Sequence, residues 1–177
     1  MLTTGIWLRR GVLESIAADC TALKKLKKFV TKNVGGMAKT VDRQLKNKMA
    51  ELYDWLDKQI ATNIDSSSCV ACGDCCDFEK FGHRIYVTSL EAAYLKDNLM
   101  EEKLKAPVKG GCPYKVDNKC SMRDFRFGPC RIFFCKADSE FQNQLSEDFL
   151  KQIKQLCQQF NFEYTYSNLP DAISCSY

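Results

Sequence analysis

The chain has 177 residues, 45% of them hydrophobic and 27% charged, with 26 Lys and Arg against 22 Asp and Glu and a formal net charge of +4. That length favours one domain with its own apolar core, and the composition excludes a disordered or collagen-like chain. No stretch approaches the roughly 18 consecutive apolar residues of a membrane span.

Eleven residues are cysteine and one is histidine, His83. No serine sits in a nucleophile-elbow pattern, so any chemistry runs mainly on thiolates. The first twenty residues, MLTTGIWLRRGVLESIAADC, carry short apolar pieces interrupted by Arg9, Arg10 and Glu14. A secretory signal needs an unbroken apolar run after its charges. The expected compartment is therefore the reducing cytoplasm, where clustered cysteines read as metal or redox sites and not as staples.

Charge is uneven. Residues 1–64 hold twelve Lys and Arg against six Asp and Glu, hence +6, and residues 65–177 hold fourteen against sixteen, hence −2. Eight thiolates around two divalent ions would lower the formal charge by four, to about zero. The basic balance thus argues little for nucleic acid. The run Lys24-Lys25-Leu26-Lys27-Lys28 reads as a solvated helix face.

Apolar residues at 12–30, from Val12 to Val30, have roughly helical spacing, and Gly35-Gly36 breaks it. Over 38–63 the pattern strengthens: Val41, Leu45, Met49, Leu52, Leu56 and Ile60 form one stripe on a long amphipathic helix. The stripe is expected to pack on the rest of the domain or on helix 12–30; a pairing surface for a partner protein is the alternative. After the polar break Asp65-Ser66-Ser67-Ser68, Ile85-Tyr86-Val87 suggests a short strand. Thr88 and Glu91 fit a capping box for a helix running to about Lys105. Residues 112–120 read as a tight turn or hairpin centred on Asp117-Asn118. A last helix is expected from Ser146, with Glu147 and Asp148 at its positive end. The expected fold class is mainly α with an irregular cysteine-rich core, α+β with little strand. It is organised as an N-terminal helical segment, 1–64, and a metal-stapled domain, 65–177, flanked by amphipathic helices.

Four cysteines fall within eight residues, Cys69, Cys72, Cys75 and Cys76, and four more follow at Cys112, Cys120, Cys130 and Cys135. Two residues between sulfurs make the smallest clip that can turn both onto one ion, and Gly73 eases the curl. Adjacent side chains of extended chain point to opposite sides, so Cys75 and Cys76 are expected to face two different sites. Eight thiolates suffice for two four-thiolate centres or for one cluster with spare thiols. Zinc and iron both fit, the latter as a single ion or an Fe–S centre. Cys20, Cys157 and Cys175 are isolated and stand outside the ligand set. His83 reads as surface or structural before ligand. Asp74, Asp77 and Glu79 read as solvated loop carboxylates. Arg126 and Arg131, among the later cysteines, are candidates to offset thiolate charge at a bound cofactor.

With Cys69 to Cys76 as C-x-x-C-G-x-C-C, then Cys112-Pro113, Cys120-Ser121, Arg126 and Cys130-Arg131-Ile132-Phe133-Phe134-Cys135, the chain resembles the YkgJ-type cysteine-cluster family of zinc- or iron-chelating domains. Phe127 stands where that family usually has Pro, and Arg123 where an aromatic is common. The resemblance covers 69–135 and implies metal chelation by the eight cysteines. Flagellin lysine N-methylases carry a similar module, although no glycine-rich AdoMet-binding motif occurs here. Three functions follow as expectations: a metal-binding or Fe–S protein, a metal-dependent modifying enzyme, or a helical adaptor built on a structural zinc core.

Overall fold

The long amphipathic helix forms where its stripe predicts, and it is the frame on which the rest is built. A computed structural model describes residues 41–63, 72–99, 101–133, 135 and 137–175. They belong to one compact unit, 39–177. The helix expected over 12–30 lies outside the described residues, as do Cys20 and Cys69.

Helix α1 spans Arg43–Asn63. Its stripe (Leu45, Met49, Leu52, Leu56 and Ile60, with Val41 just ahead) is buried in a first core. The facing side chains are Leu145, Phe149, Ile153 and Cys157 of a second long helix, Ser139–Gln159. Burial of each such side chain stabilises by about 1.5–3 kcal/mol. The stripe is therefore covered, and the reading of helix 38–63 as a pairing surface does not hold. The unit boundary falls at 38/39 instead of the expected 64/65, because this stripe packs onto the cysteine-bearing part of the chain.

A second core, on Phe78, Ile85, Val87, Leu95, Tyr114, Met122, Phe127 and Leu169, carries the cysteines at its edge. After the short helix α2, Phe78–Phe81, strand β1, Tyr86–Thr88, leads into α3, Ser89–Asn98. The capping box is present: Thr88 accepts from the Glu91 N–H, and the Glu91 side chain accepts from the Thr88 N–H. Helix α3 ends at Asn98, short of Lys105, and a single 3-10 turn follows at Glu101–Lys103. Strands β2, Lys115–Val116, and β3, Lys119–Cys120, form the expected hairpin, with Asp117 and Asn118 both at positive φ.

Helix α4 is one short turn, Gly128–Ile132, with Pro at its start. Helix α5, Ser139–Gln159, begins seven residues before the expected Ser146, because the Asp138 side chain caps it by accepting from the Phe141 N–H at 2.8 Å. Strand β4, Tyr166–Asn168, then pairs antiparallel with β1, and α6, Leu169–Cys175, returns to the second core. The class is mainly helical with two small two-stranded sheets, as expected.

Candidate metal centre

Four chain segments meet at the edge of the second core. The first curls at Gly73, whose φ of 73° is left-handed, into a 3-10 turn, Asp74–Cys76. There the Cys76 N–H donates to the Gly73 carbonyl at 3.0 Å. A Cβ at Gly73 would overlap the backbone oxygen of Asn118, so the turn packs directly on the tip of the β2–β3 hairpin. The second segment is sewn to the first: Cys112 N–H donates to the Cys76 carbonyl at 2.9 Å, and Glu79 N–H to the Gly110 carbonyl at 2.8 Å. Cys120 arrives on β3, and Cys130 on α4.

These segments bring Cys75, Cys76, Cys112, Cys120 and Cys130 around one cavity of about 60 Å³. Its apolar walls include Phe78, Ile85, Met122, Phe127 and Phe133, and Arg123 and Arg126 complete it. The volume is several times what a single water needs, about 10–15 Å³. All five cysteines are free thiols.

Four of the five are linked through one of them, Cys76. Cys76 shares thiol hydrogen bonds with Cys112, Cys120 and Cys75, and those bonds push its own pKa far up. The same contacts pull Cys75 and Cys120 each down to about 6 and lower Cys112. Cys76 has one proton to give, so it can hold only one neighbour as a thiolate at a time. Cys130 is different: burial pushes its thiol well above the ordinary range, and it faces the other thiols only across the cavity. Among the described residues no group of three or more His, Cys, Asp or Glu side chains is arranged so that it could hold a metal ion as it stands.

The sequence placed Cys75 and Cys76 on opposite sides, and the structure does not. The alternation rule belongs to extended chain, whereas the 3-10 turn directs both thiols into the same cavity. Cys72 and Cys135 are exposed and do not line it. Cys157 is buried in the first core, as its helical position suggested, with its thiol pushed up to about 11 by burial.

Of the two arginine candidates, only Arg126 reaches the cavity. Its Nη1 donates to the Cys130 carbonyl and its Nε to the Arg123 carbonyl, both at 3.3 Å. Arg131 instead clamps helices. It pairs with Asp57 of α1 at 2.6 Å, donates to the Arg126 and Asp124 carbonyls, and lies over the Tyr53 ring at 4.6 Å. The second cavity arginine is Arg123, which the motif reading noted only as a departure. Its signal was the spacing Arg123–Arg126: three residues apart on a 3-10 turn, Arg123–Phe125, bring side chains to one side.

His83 is a neighbour of the centre. Its Nε2 lies 3.1 Å from the Cys75 carbonyl, and its ring stacks on Phe133 and meets Phe78 edge-on. Asp77 caps α2 and pairs with Lys115 at 3.3 Å, and Asp74 lies 4.0 Å from Lys80. Glu79 packs on Gly110. None of the three carboxylates lines the cavity.

Searches with this chain against protein-family models, curated proteins and solved structures returned no match.

Proposed function

We propose that this protein binds a thiophilic metal, zinc or iron or an iron–sulfur core, with Cys75, Cys76, Cys112 and Cys120 as the primary ligands. One observation carries the reading: Cys75, Cys76, Cys112 and Cys120, free thiols from three chain-distant segments, line one cavity with apolar walls. Four small hydrophobes would not need this convergence. Metal binding resolves the competition for the Cys76 proton, since a cation lets all four ionise. Sulfurs about 2.3 Å from a tetrahedral Zn²⁺ stand roughly 3.8 Å apart, so four thiols lining one cavity would converge on it by side-chain rotation. The resemblance to YkgJ-type chelating domains points the same way, as does the free state of the thiols, which suits a reducing, cytoplasmic setting.

Within the eight-cysteine set, Cys130 is a half-buried thiol beside the quartet, kept neutral by desolvation. Cys72 and Cys135, exposed and away from the cavity, form the outer group. Arg126 offsets thiolate charge; Arg131 supports it from behind through the Arg126 carbonyl. The space beyond a lone ion favours a polynuclear core over a single zinc. The same space supports a second reading, a metal-dependent enzyme whose substrate enters an open coordination position. Anaerobic purification with elemental analysis and visible absorption tests both. Stoichiometric iron with thiolate-to-iron charge-transfer bands is the expected result. Colourless protein with stoichiometric zinc assigns a structural site, and full-length protein without metal after anaerobic reconstitution overturns the proposal.

A further inference from the structure

We propose that Arg123 and Arg126 select the charge of the centre, matching this pocket to a core of +2 on four thiolates. The inference rests on the metal-binding reading and adds the class of guest. Four thiolates carry −4, and a divalent ion or a cluster core of +2 leaves −2 in a pocket walled by phenylalanines, isoleucine and methionine. An uncompensated charge of that size behind apolar walls is strongly disfavoured. Two guanidiniums on the same cavity bring the total to zero.

Among the described residues, Arg123 and Arg126 are the two cationic side chains that line the cavity. Among the described residues neither Arg123 nor Arg126 forms an ion pair with a carboxylate, whereas Arg131 is paired with Asp57. The carboxylates of the cysteine turn face lysines: Asp77 meets Lys115, and Asp74 meets Lys80. Both cavity arginines act on the thiols electrostatically, Arg126 on Cys75 and Cys120, and Arg123 on Cys120. Arg126 is half-buried and braced by two carbonyls; Arg123 is exposed. Screening by water therefore makes Arg126 the stronger of the two. A monovalent ion would leave −1 in the same setting and a trivalent ion +1, so the matched guest is divalent in total.

The test is competition for Zn²⁺ between the full chain and a chelator under anaerobic conditions, with the far-UV circular dichroism of each variant recorded. R126Q is expected to weaken Zn²⁺ binding about tenfold, the worth of one partly screened charge at this range. R126K, which keeps the charge, stays within a few-fold, and R123Q loses less than R126Q. In an iron-loaded protein, R126Q also lowers the midpoint potential, because the missing positive charge favours the oxidised centre. Unchanged Zn²⁺ affinity in R123Q and in R123Q/R126Q, while C76S abolishes binding, overturns charge matching and leaves the metal reading standing. Equal losses in R126K and R126Q overturn it too, since shape and not charge would then matter. Wild-type protein that takes up neither Zn²⁺ nor Fe²⁺ overturns the metal reading itself.

Discussion

The backbone N–H of Gly128 donates to Oε1 of Glu91 at 2.7 Å, joining the start of the cysteine-bearing helix α4 to a carboxyl in the capping box of α3. Glu91 is 1% exposed, and its other oxygen accepts from both the N–H and the hydroxyl of Thr88, each at 2.9 Å. One buried side chain thus caps two helix starts, and α4 holds Cys130 where this anchor places it.

Glu91→Gln tests that anchor. Either amide orientation sets an NH₂ against a backbone N–H, from Gly128 or from Thr88, so one buried donor loses its acceptor at a cost of about 1–3 kcal/mol. Burial raises the Glu91 pKa despite the hydrogen bonds that oppose it. Its folded pKa therefore lies above the unfolded one. Stability from this group is full below the ordinary glutamate pKa and is lost as pH rises through the raised folded value. Glutamine has no such slope. Thermal melts of the two proteins across that window should converge partly as pH rises, and parallel curves would show that Glu91 titrates normally.

Gly128 has a second constraint. A Cβ there would overlap the Phe149 ring of α5, so the start of α4 lies directly on that ring. Gly128→Ala is expected to cost about 1–3 kcal/mol by overpacking. Phe149→Leu opens space on the same side. The double variant should recover about 1 kcal/mol relative to the sum of the singles, the coupling expected of residues in contact. Denaturant unfolding of the four proteins measures it, and strict additivity would mean α4 yields freely.

The local parts of this architecture were legible in the sequence. The α1 stripe, the Thr88–Glu91 box and the Asp117-Asn118 turn each depend on residues a few positions apart. The late start assigned to the last helix had a local cause as well: Ser146 with Glu147 and Asp148 imitates a helix start, although Phe141 and Leu145 already extend the stripe of Phe149 upstream. At the site, the gathering of cysteines was legible and their partition was not. The side to which Cys75 and Cys76 point depends on whether 74–76 is extended or turned, and the Asn118 tip packed against Gly73 lies 45 residues away. The β1–β4 pairing and the Glu91–Gly128 bond are equally non-local, so no periodicity announces them.

Two left-handed glycines separate backbone strain from docking. Gly82, with φ of 64°, has nothing within 4 Å of an added Cβ. Gly82→Ala should cost only the left-handed penalty, roughly 1–2 kcal/mol, and leave the proposed metal binding unchanged. Gly73→Ala carries the same penalty and also drives the turn off the Asn118 backbone. It should release metal at concentrations where Gly82→Ala retains it. Metal content per chain after gel filtration decides, and equal retention would show that the turn can leave the hairpin without disturbing the thiols.

Alkylation reads the cysteine partition directly. Thiolates react and thiols do not, so reactivity follows pKa and exposure. In the metal-free protein Cys75 and Cys120 compete for the Cys76 proton, which pulls the pKa of the one that holds it down to about 6, and Cys75 is exposed whereas Cys120 is half-buried. Iodoacetamide at neutral pH should label Cys75 first and Cys120 more slowly. Cys157, buried in the first core and pushed to about 11, should stay unlabelled until the chain unfolds. Loading Zn²⁺ should protect Cys75 and Cys120, because a sulfur bound to metal is a poor nucleophile, and acidification should release the ion and its protection together as protons reclaim the sulfurs. Cys72 and Cys135, exposed and away from the cavity, should label equally with and without metal. Mass spectrometry of the labelled peptides gives each rate separately. Protection of Cys72 and Cys135 on loading, with Cys75 left reactive, would move the primary ligands to the outer group and reverse the assignment argued here.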